Sequence, residues 1–164
     1  MIWLTDRPLP RGVLIDTNIF LLLLVGSTDR TAIGRFKRTK KYVPEDFDLA
    51  VRFIEQFSHV ATTPSILTET SNLASELASP LLDGVSAKFV EWVSVVEEKY
   101  LPGREIVTDV AFLKFGFTDA GISALRHFDY LVLTDDFRLS QYLESEGVPA
   151  FNFNHVRTYL MEQL

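Results

Sequence analysis

The sequence predicts an α/β fold in which a mainly parallel sheet is covered by helices. Three observations carry this. Gly12-Val13-Leu14-Ile15 and Tyr130-Leu131-Val132-Leu133-Thr134 are short, continuously apolar runs, as expected of strands buried on both faces. Segments with helical apolar spacing alternate with such runs, the order of βα units. Both runs pass straight into acids, Asp16 and Asp135-Asp136, which supply capping chemistry where a strand turns into a helix.

After the first strand, Asp16-Thr17-Asn18 caps a buried helix over Ile19–Val25, closed by Gly26. Asp48–Phe57 is a helix with Leu49, Phe53, Ile54 and Phe57 on one side. His59–Thr62 is a second strand, and Pro64 fits the first turn of a helix running to about Leu77 with Ile66, Leu73, Ala74 and Leu77 as its stripe. Pro80 and Leu81 open a long helix to about Leu101, ended by Pro102-Gly103. Thr108–Phe115 is shorter, and Thr118 caps a helix from Asp119 to about Phe128. A helix follows Asp136 and ends near Gly147. Val148–Phe153 is a last, partly edge strand that tolerates Pro149, before a short terminal helix.

The chain has 164 residues, the size of one domain, and residues 1–164 are read as one. A chain of this length buries about 70% of its unfolded surface and needs no staple. Hydrophobic residues at 47% and charged residues at 23% exclude global disorder. The absence of cysteine excludes thiol catalysis, thiolate zinc sites and disulfides. Met1–Asp6 has no basic leader pattern, and the longest apolar run, Ile19–Val25, has seven residues where a spanning helix needs about 20. The expectation is a protein without a membrane segment, in the cytoplasm.

The formal charge is -6, which does not by itself favour nucleic acid. Yet residues 30–41 hold six basic side chains and no acid, leaving ten basic residues against all 22 acids elsewhere. Such a run is either a solvated loop balancing an acidic body or a phosphate-binding patch.

In parallel α/β sheets, ligands bind outside the carboxyl ends of the strands. Asp16, Asp135 and Asp136 stand at strand ends. Asp119 is in the first turn of a helix, and Glu69 lies one turn from Leu73 on the shoulder of an apolar stripe. Taken singly, each aspartate serves as a cap and Glu69 as a solvated residue. Taken together, carboxylates this close repel one another, and a divalent cation resolves the conflict. Oxygen-only ligation selects Mg²⁺ or Mn²⁺ over zinc. Competing constellations are absent: His59, His127 and His155 lack ligand spacing, and no G-x-S-x-G, Walker or Rossmann glycine pattern occurs.

These residues resemble the motifs of PIN-domain nucleases. Leu14-Ile15-Asp16-Thr17-Asn18-Ile19-Phe20 is similar to the opening motif, Thr68-Glu69-Thr70 to the mid-chain acidic helix, Phe117-Thr118-Asp119-Ala120 to the Thr-Asp helix start, and Thr134-Asp135-Asp136 to the Thr-x-Asp that follows the late strand. The resemblance covers about residues 12–155, and the segment Thr28–Asp48 is longer than in compact toxin members. It implies a PIN-like α/β/α sandwich with catalytic Asp16, Glu69, Asp119 and Asp136. Asp16, Asp119 and Asp136 would bind Mg²⁺ or Mn²⁺, with Asp135 sharing or replacing the last role, and Asn18 and Thr134 would orient ligands or water. It further implies a metal-dependent endoribonuclease acting on single-stranded RNA, leaving 5′-phosphate and 3′-hydroxyl ends. Many such proteins are homodimers, and many are the toxin of a toxin–antitoxin pair with a cognate antitoxin as partner. On that reading Arg35, Lys37 and Arg38 guide the RNA backbone, and Phe36 or Tyr42 either stacks on a base or belongs to the core. Two alternatives stand beside it: a catalytically weak PIN-like protein-binding module, and a metal-dependent phosphatase.

Overall fold

The computed structural model describes residues 10–161; the reading of Met1–Asp6 lies outside them. Strands β1 (Gly12–Ile15), β2 (His59–Thr62), β3 (Glu97–Glu98), β4 (Tyr130–Thr134) and β5 (Ala150–Asn152) form one sheet in the order β3-β2-β1-β4-β5. Every pair is parallel. The protein is therefore α/β, with an all-parallel sheet consistent with the expected α/β/α sandwich. Every residue of β1 and β4 is buried, the outcome their unbroken apolar character calls for. The order reverses at β1, so the crevice beyond the carboxyl ends of β1 and β4 is the topological switch point.

Between the strands lie α1 (Thr17–Thr28), a 3₁₀ turn (Arg30–Ala32), α2 (Pro44–Ile54), α3 (Pro64–Ala74), α4 (Leu81–Val93), α5 (Gly103–Ile106), α6 (Ala111–Phe115) and α7 (Phe117–Ala124). α8 (Phe137–Ser145) and α9 (Phe153–Met161) follow β4 and β5. Helix α1 is the centre of the core. Ile19 to Val25 are fully buried, and α1 packs against α2, α3 and α4. Phe20 stacks on Phe89 at 5.9 Å and meets Trp92 edge-on at 5.7 Å. Among the described residues, no helix is long and apolar enough to cross a membrane.

Several boundaries differ from the sequence expectation. Helix α1 runs through Gly26 to Thr28. A side chain at Gly26 would put its Cβ 2.3 Å from the Phe47 ring, so this glycine serves close packing rather than termination. Helix α2 begins at Pro44, where the Asp46 carboxylate accepts from the Val43 N–H at 2.8 Å. Helix α3 stops at Ala74, although Leu77 remains buried in the turn beyond it. Helix α4 stops at Val93, and the chain extends into β3, a strand absent from the expectation because two exposed glutamates carry no apolar alternation. Pairing with Ala61 and Thr62 creates β3, and Glu97 is held by the Tyr130 hydroxyl at 2.7 Å, by His59 at 3.2 Å and by Lys99.

The helix expected over Thr108–Phe115 is shorter, α6 from Ala111, and a further short helix, α5, precedes it at Gly103–Ile106, the two joined through Asp109. The Asp109 carboxylate accepts from Ala111 N–H at 2.9 Å and Ser123 Oγ at 3.3 Å and pairs with Arg126. Thr118 is not a cap. Gly116, at φ +88°, turns the chain, and α7 starts at Phe117. Strand β5 ends at Asn152 and Phe153 begins α9, which Arg157 ties to the buried Asp46 at 2.6 Å.

Candidate active site

The acids expected at the strand ends meet at the switch point. Asp16 follows β1 and caps α1, its Oδ1 accepting from the Ile19 N–H at 2.9 Å. Its Oδ2 accepts from the Thr134 hydroxyl and, at 3.3 Å, from the Asp135 N–H. Thr134 is fully buried at the end of β4, and its Oγ1 also accepts from the Asp136 N–H at 3.0 Å. Thr134 thus orients Asp16 and the turn that carries both later aspartates.

Asp135 and Asp136 point to different duties. The Asp135 carboxylate is buried and accepts from Asn18 Nδ2 at 3.0 Å, from the Tyr42 hydroxyl and from Lys41 Nζ. Asp136 is exposed and caps α8, accepting from the Arg138 and Leu139 N–H groups at 2.7 and 3.0 Å. Glu69, on the exposed side of α3, accepts from the Thr17 hydroxyl at 3.2 Å, which draws it to the start of α1. Asp119 lies half-buried in the first turn of α7.

Electrostatics links these acids. Burial pushes the Asp16 carboxyl up to about 7, and the neighbouring Asp135 and Asp119 charges push the same way against the hydrogen bonds from Thr134 and Ile19. Burial likewise raises Asp119 to about 7, with Asp136 and then Glu69 adding to it. Five carboxylates therefore neighbour one another in a chain that runs from Asp135 through Asp16 and Asp119 to Asp136 and Glu69. Their donor chemistry, all oxygen with crowded negative charge, fits Mg²⁺ or Mn²⁺. Among the described residues, however, no three carboxylate or imidazole side chains are grouped tightly enough to ligate one ion. Asp16, Asp135 and Asp136 are each turned towards donors of this chain.

A groove of about 640 Å³ opens beside the acids. Pro64, Ser65, Thr68, Glu69 and Asn72 of α3 form one wall, and Phe115, Phe117, Thr118 and Asp119 the other. A smaller recess shares Pro64, Ser65 and Phe117 and leads on to Lys99 and Tyr100.

The basic stretch is engaged elsewhere for the most part. Arg35 pairs with Asp29 at 3.1 Å, Lys37 with Glu76 at 3.0 Å, and Arg38 also with Glu76. Those two bonds hold the Glu76 carboxyl down at about 2. Phe36 and Tyr42 are both buried, so they are core residues rather than stacking platforms. Lys41 and Tyr42, by contrast, reach the acidic edge through Asp135, a connection no local spacing discloses. No protein-family model matches the sequence, and no curated protein matches it either.

Proposed function

We propose that this protein is a divalent-cation-dependent nuclease of the PIN-domain type that hydrolyses phosphodiester bonds in single-stranded RNA. The observation that carries the reading is the run of carboxylates Asp16, Asp119, Asp135, Asp136 and Glu69 about the β1–β4 switch point, where burial first and neighbouring carboxylates second raise Asp16 and Asp119 to about 7. Neighbouring, partly buried carboxylates cost stability when ionised, and a bound cation offsets that cost. Asp16, Asp119 and Asp136, with Glu69 beside them, are the residues that would hold Mg²⁺ or Mn²⁺. Such an ion supplies charge compensation at phosphoryl oxygens and makes water a better nucleophile near neutral pH.

The chain's own groups prepare the site. The Thr134 hydroxyl and the Asp135 N–H hold Asp16 in one orientation. The Thr17 hydroxyl keeps Glu69 turned towards the α1 terminus. The groove between α3 and α7 is open enough for an unpaired strand to lie beside Glu69 and Asp119, and Phe117 offers it an exposed aromatic face.

The test is cleavage of labelled single-stranded RNA in Mn²⁺ by the wild type and by Asp16→Asn. The expected result is cleavage by the wild type, lost in the variant and in chelator. Metal-independent cleavage, or full activity in Asp16→Asn, overturns the reading. One observation favours a second reading, a PIN-like protein-binding module: the internal hydrogen bonds of Asp16, Asp135 and Asp136 satisfy these carboxylates without an ion. Manganese titration separates the two, since a binding module takes up none. Hydrolysis of a small phosphate monoester in place of RNA would mark a phosphatase instead.

A further inference from the structure

Within residues 30–41, Lys41 differs from its neighbours in where its charge goes. Arg30 pairs with Asp48 at 2.6 Å, Arg35 with Asp29, and Lys37 and Arg38 with Glu76, all on acids away from the switch point. Lys41 pairs with Asp135, and among the described residues it is the lysine or arginine side chain that pairs with a carboxylate of the site. We propose that Lys41 is a phosphate-positioning residue, whose ammonium is anchored by Asp135 at the rim of the acidic edge and binds a phosphoryl oxygen of the RNA strand. This rests on the nuclease reading given above.

Three observations support it. First, the Asp135 side chain is only 4% exposed and already accepts from Asn18 and Tyr42, so its charge is met in part by neutral donors and its position is fixed. It is built as an anchor. Second, the Lys41 side chain is 51% exposed, and the ammonium lies 5.2 Å from the centre of the Tyr42 ring. An ammonium has three N–H donors. Asp135 occupies one face, which leaves donors directed to solvent at the edge of the site. Third, an anionic strand approaching an all-carboxylate edge is repelled, and a cation held on the rim offsets that repulsion where the phosphate must come closest. The segment between α1 and α2, folded down by the buried Thr39, Tyr42 and Asp46, delivers Lys41 there.

The experiment measures binding of a labelled single-stranded RNA in chelator over a series of salt concentrations. It compares the wild type, Lys41→Met, Lys41→Arg and the triple variant R35A/K37A/R38A. One lost phosphate contact lowers the slope of log affinity against log salt by about 0.7 for single strands. Lys41→Met should lose about that much, Lys41→Arg should keep the wild-type slope, and the triple variant should also keep it. In Mn²⁺, Lys41→Met should lower cleavage, with Lys41→Arg recovering most of it. Thermal melts accompany each variant. If Lys41→Met keeps the wild-type slope, whether or not it melts earlier, Lys41 is only a tether and the proposal fails. If Lys41→Met melts too early to measure, Lys41→Gln replaces it and the same slopes decide. Slopes that depend on Lys41 in a wild type that cleaves nothing in Mn²⁺ would uphold the phosphate contact and sink the nuclease reading. Cleavage with slopes indifferent to Lys41 would do the reverse, and a wild type that binds no RNA overturns both.

Discussion

The Asp135 N–H donates to the Asp16 carboxylate at 3.3 Å, joining residues 119 positions apart, while the Asp16 N–H donates to the Leu133 carbonyl at 3.0 Å. The ends of β1 and β4 are thus tied reciprocally at the point where the sheet order reverses. A carboxylate that a helix start would use only as a cap becomes, through this pairing, the buried centre of a chain of acids.

The Thr134 hydroxyl is the pivot of that arrangement, donating to Asp16 and accepting from the Asp136 N–H. Thr134→Val keeps the shape and removes both bonds in a fully buried place. It should destabilise the protein by about 1–3 kcal/mol, read by urea unfolding. It should also slow cleavage, because Asp16 loses its orientation. A variant as stable and active as the wild type would remove Thr134 from the account.

The raised Asp16 and Asp119 carboxyls set a direction for pH dependence. In the folded protein both hold protons up to about 7, whereas the unfolded chain releases them near 3.8. Their contribution to stability is therefore complete below the unfolded value and is lost as the pH climbs through that window. Thermal or urea unfolding in chelator should show stability falling between these limits, on the order of a few kcal/mol from Asp16 alone. Asp16→Asn should flatten the curve and exceed the wild type at pH 8. A slope of the opposite sign from these groups would contradict the burial assigned to them.

Manganese uptake should carry the same signature. Binding requires ionised carboxylates, so the affinity should rise from pH 6 to pH 8, with protons released on binding. Calorimetry in buffers of differing ionisation enthalpy measures that release directly. An affinity independent of pH would mean that Asp16 and Asp119 do not face the ion.

The core makes a separate prediction. Phe20→Ala removes a fully buried ring that packs on Phe89 and Trp92 and should cost about 3–5 kcal/mol. Gly26→Ala drives a methyl group against Phe47 and should cost about 1–3 kcal/mol in urea unfolding. A neutral Gly26→Ala would show that the Phe47 ring swings aside easily.

Much of the fold was legible because strands buried on both faces need unbroken apolar runs, and β1 and β4 lie where those runs stand. Strand β3 was not legible, since Glu97-Glu98 becomes a strand only by pairing with Ala61-Thr62. The Gly26 and Thr118 readings failed for related reasons. A glycine that looks like a stop was needed for contact with a distant ring. A threonine that looks like a cap yielded to Gly116, whose positive φ makes the turn.

By itself the sequence determined the α/β class, the alternation of strands and helices, and the acids standing at strand ends and helix starts. These depend on patterns only a few residues long, where local propensity and capping decide. Tertiary structure alone decided what each carboxylate touches: that Asp135 is buried beneath Asn18, Tyr42 and Lys41, that Asp136 caps α8, and that Asp16 takes the Thr134 hydroxyl. Most of those contacts join segments tens of residues apart in the chain, and a side chain's orientation follows from which donor packing brings within reach.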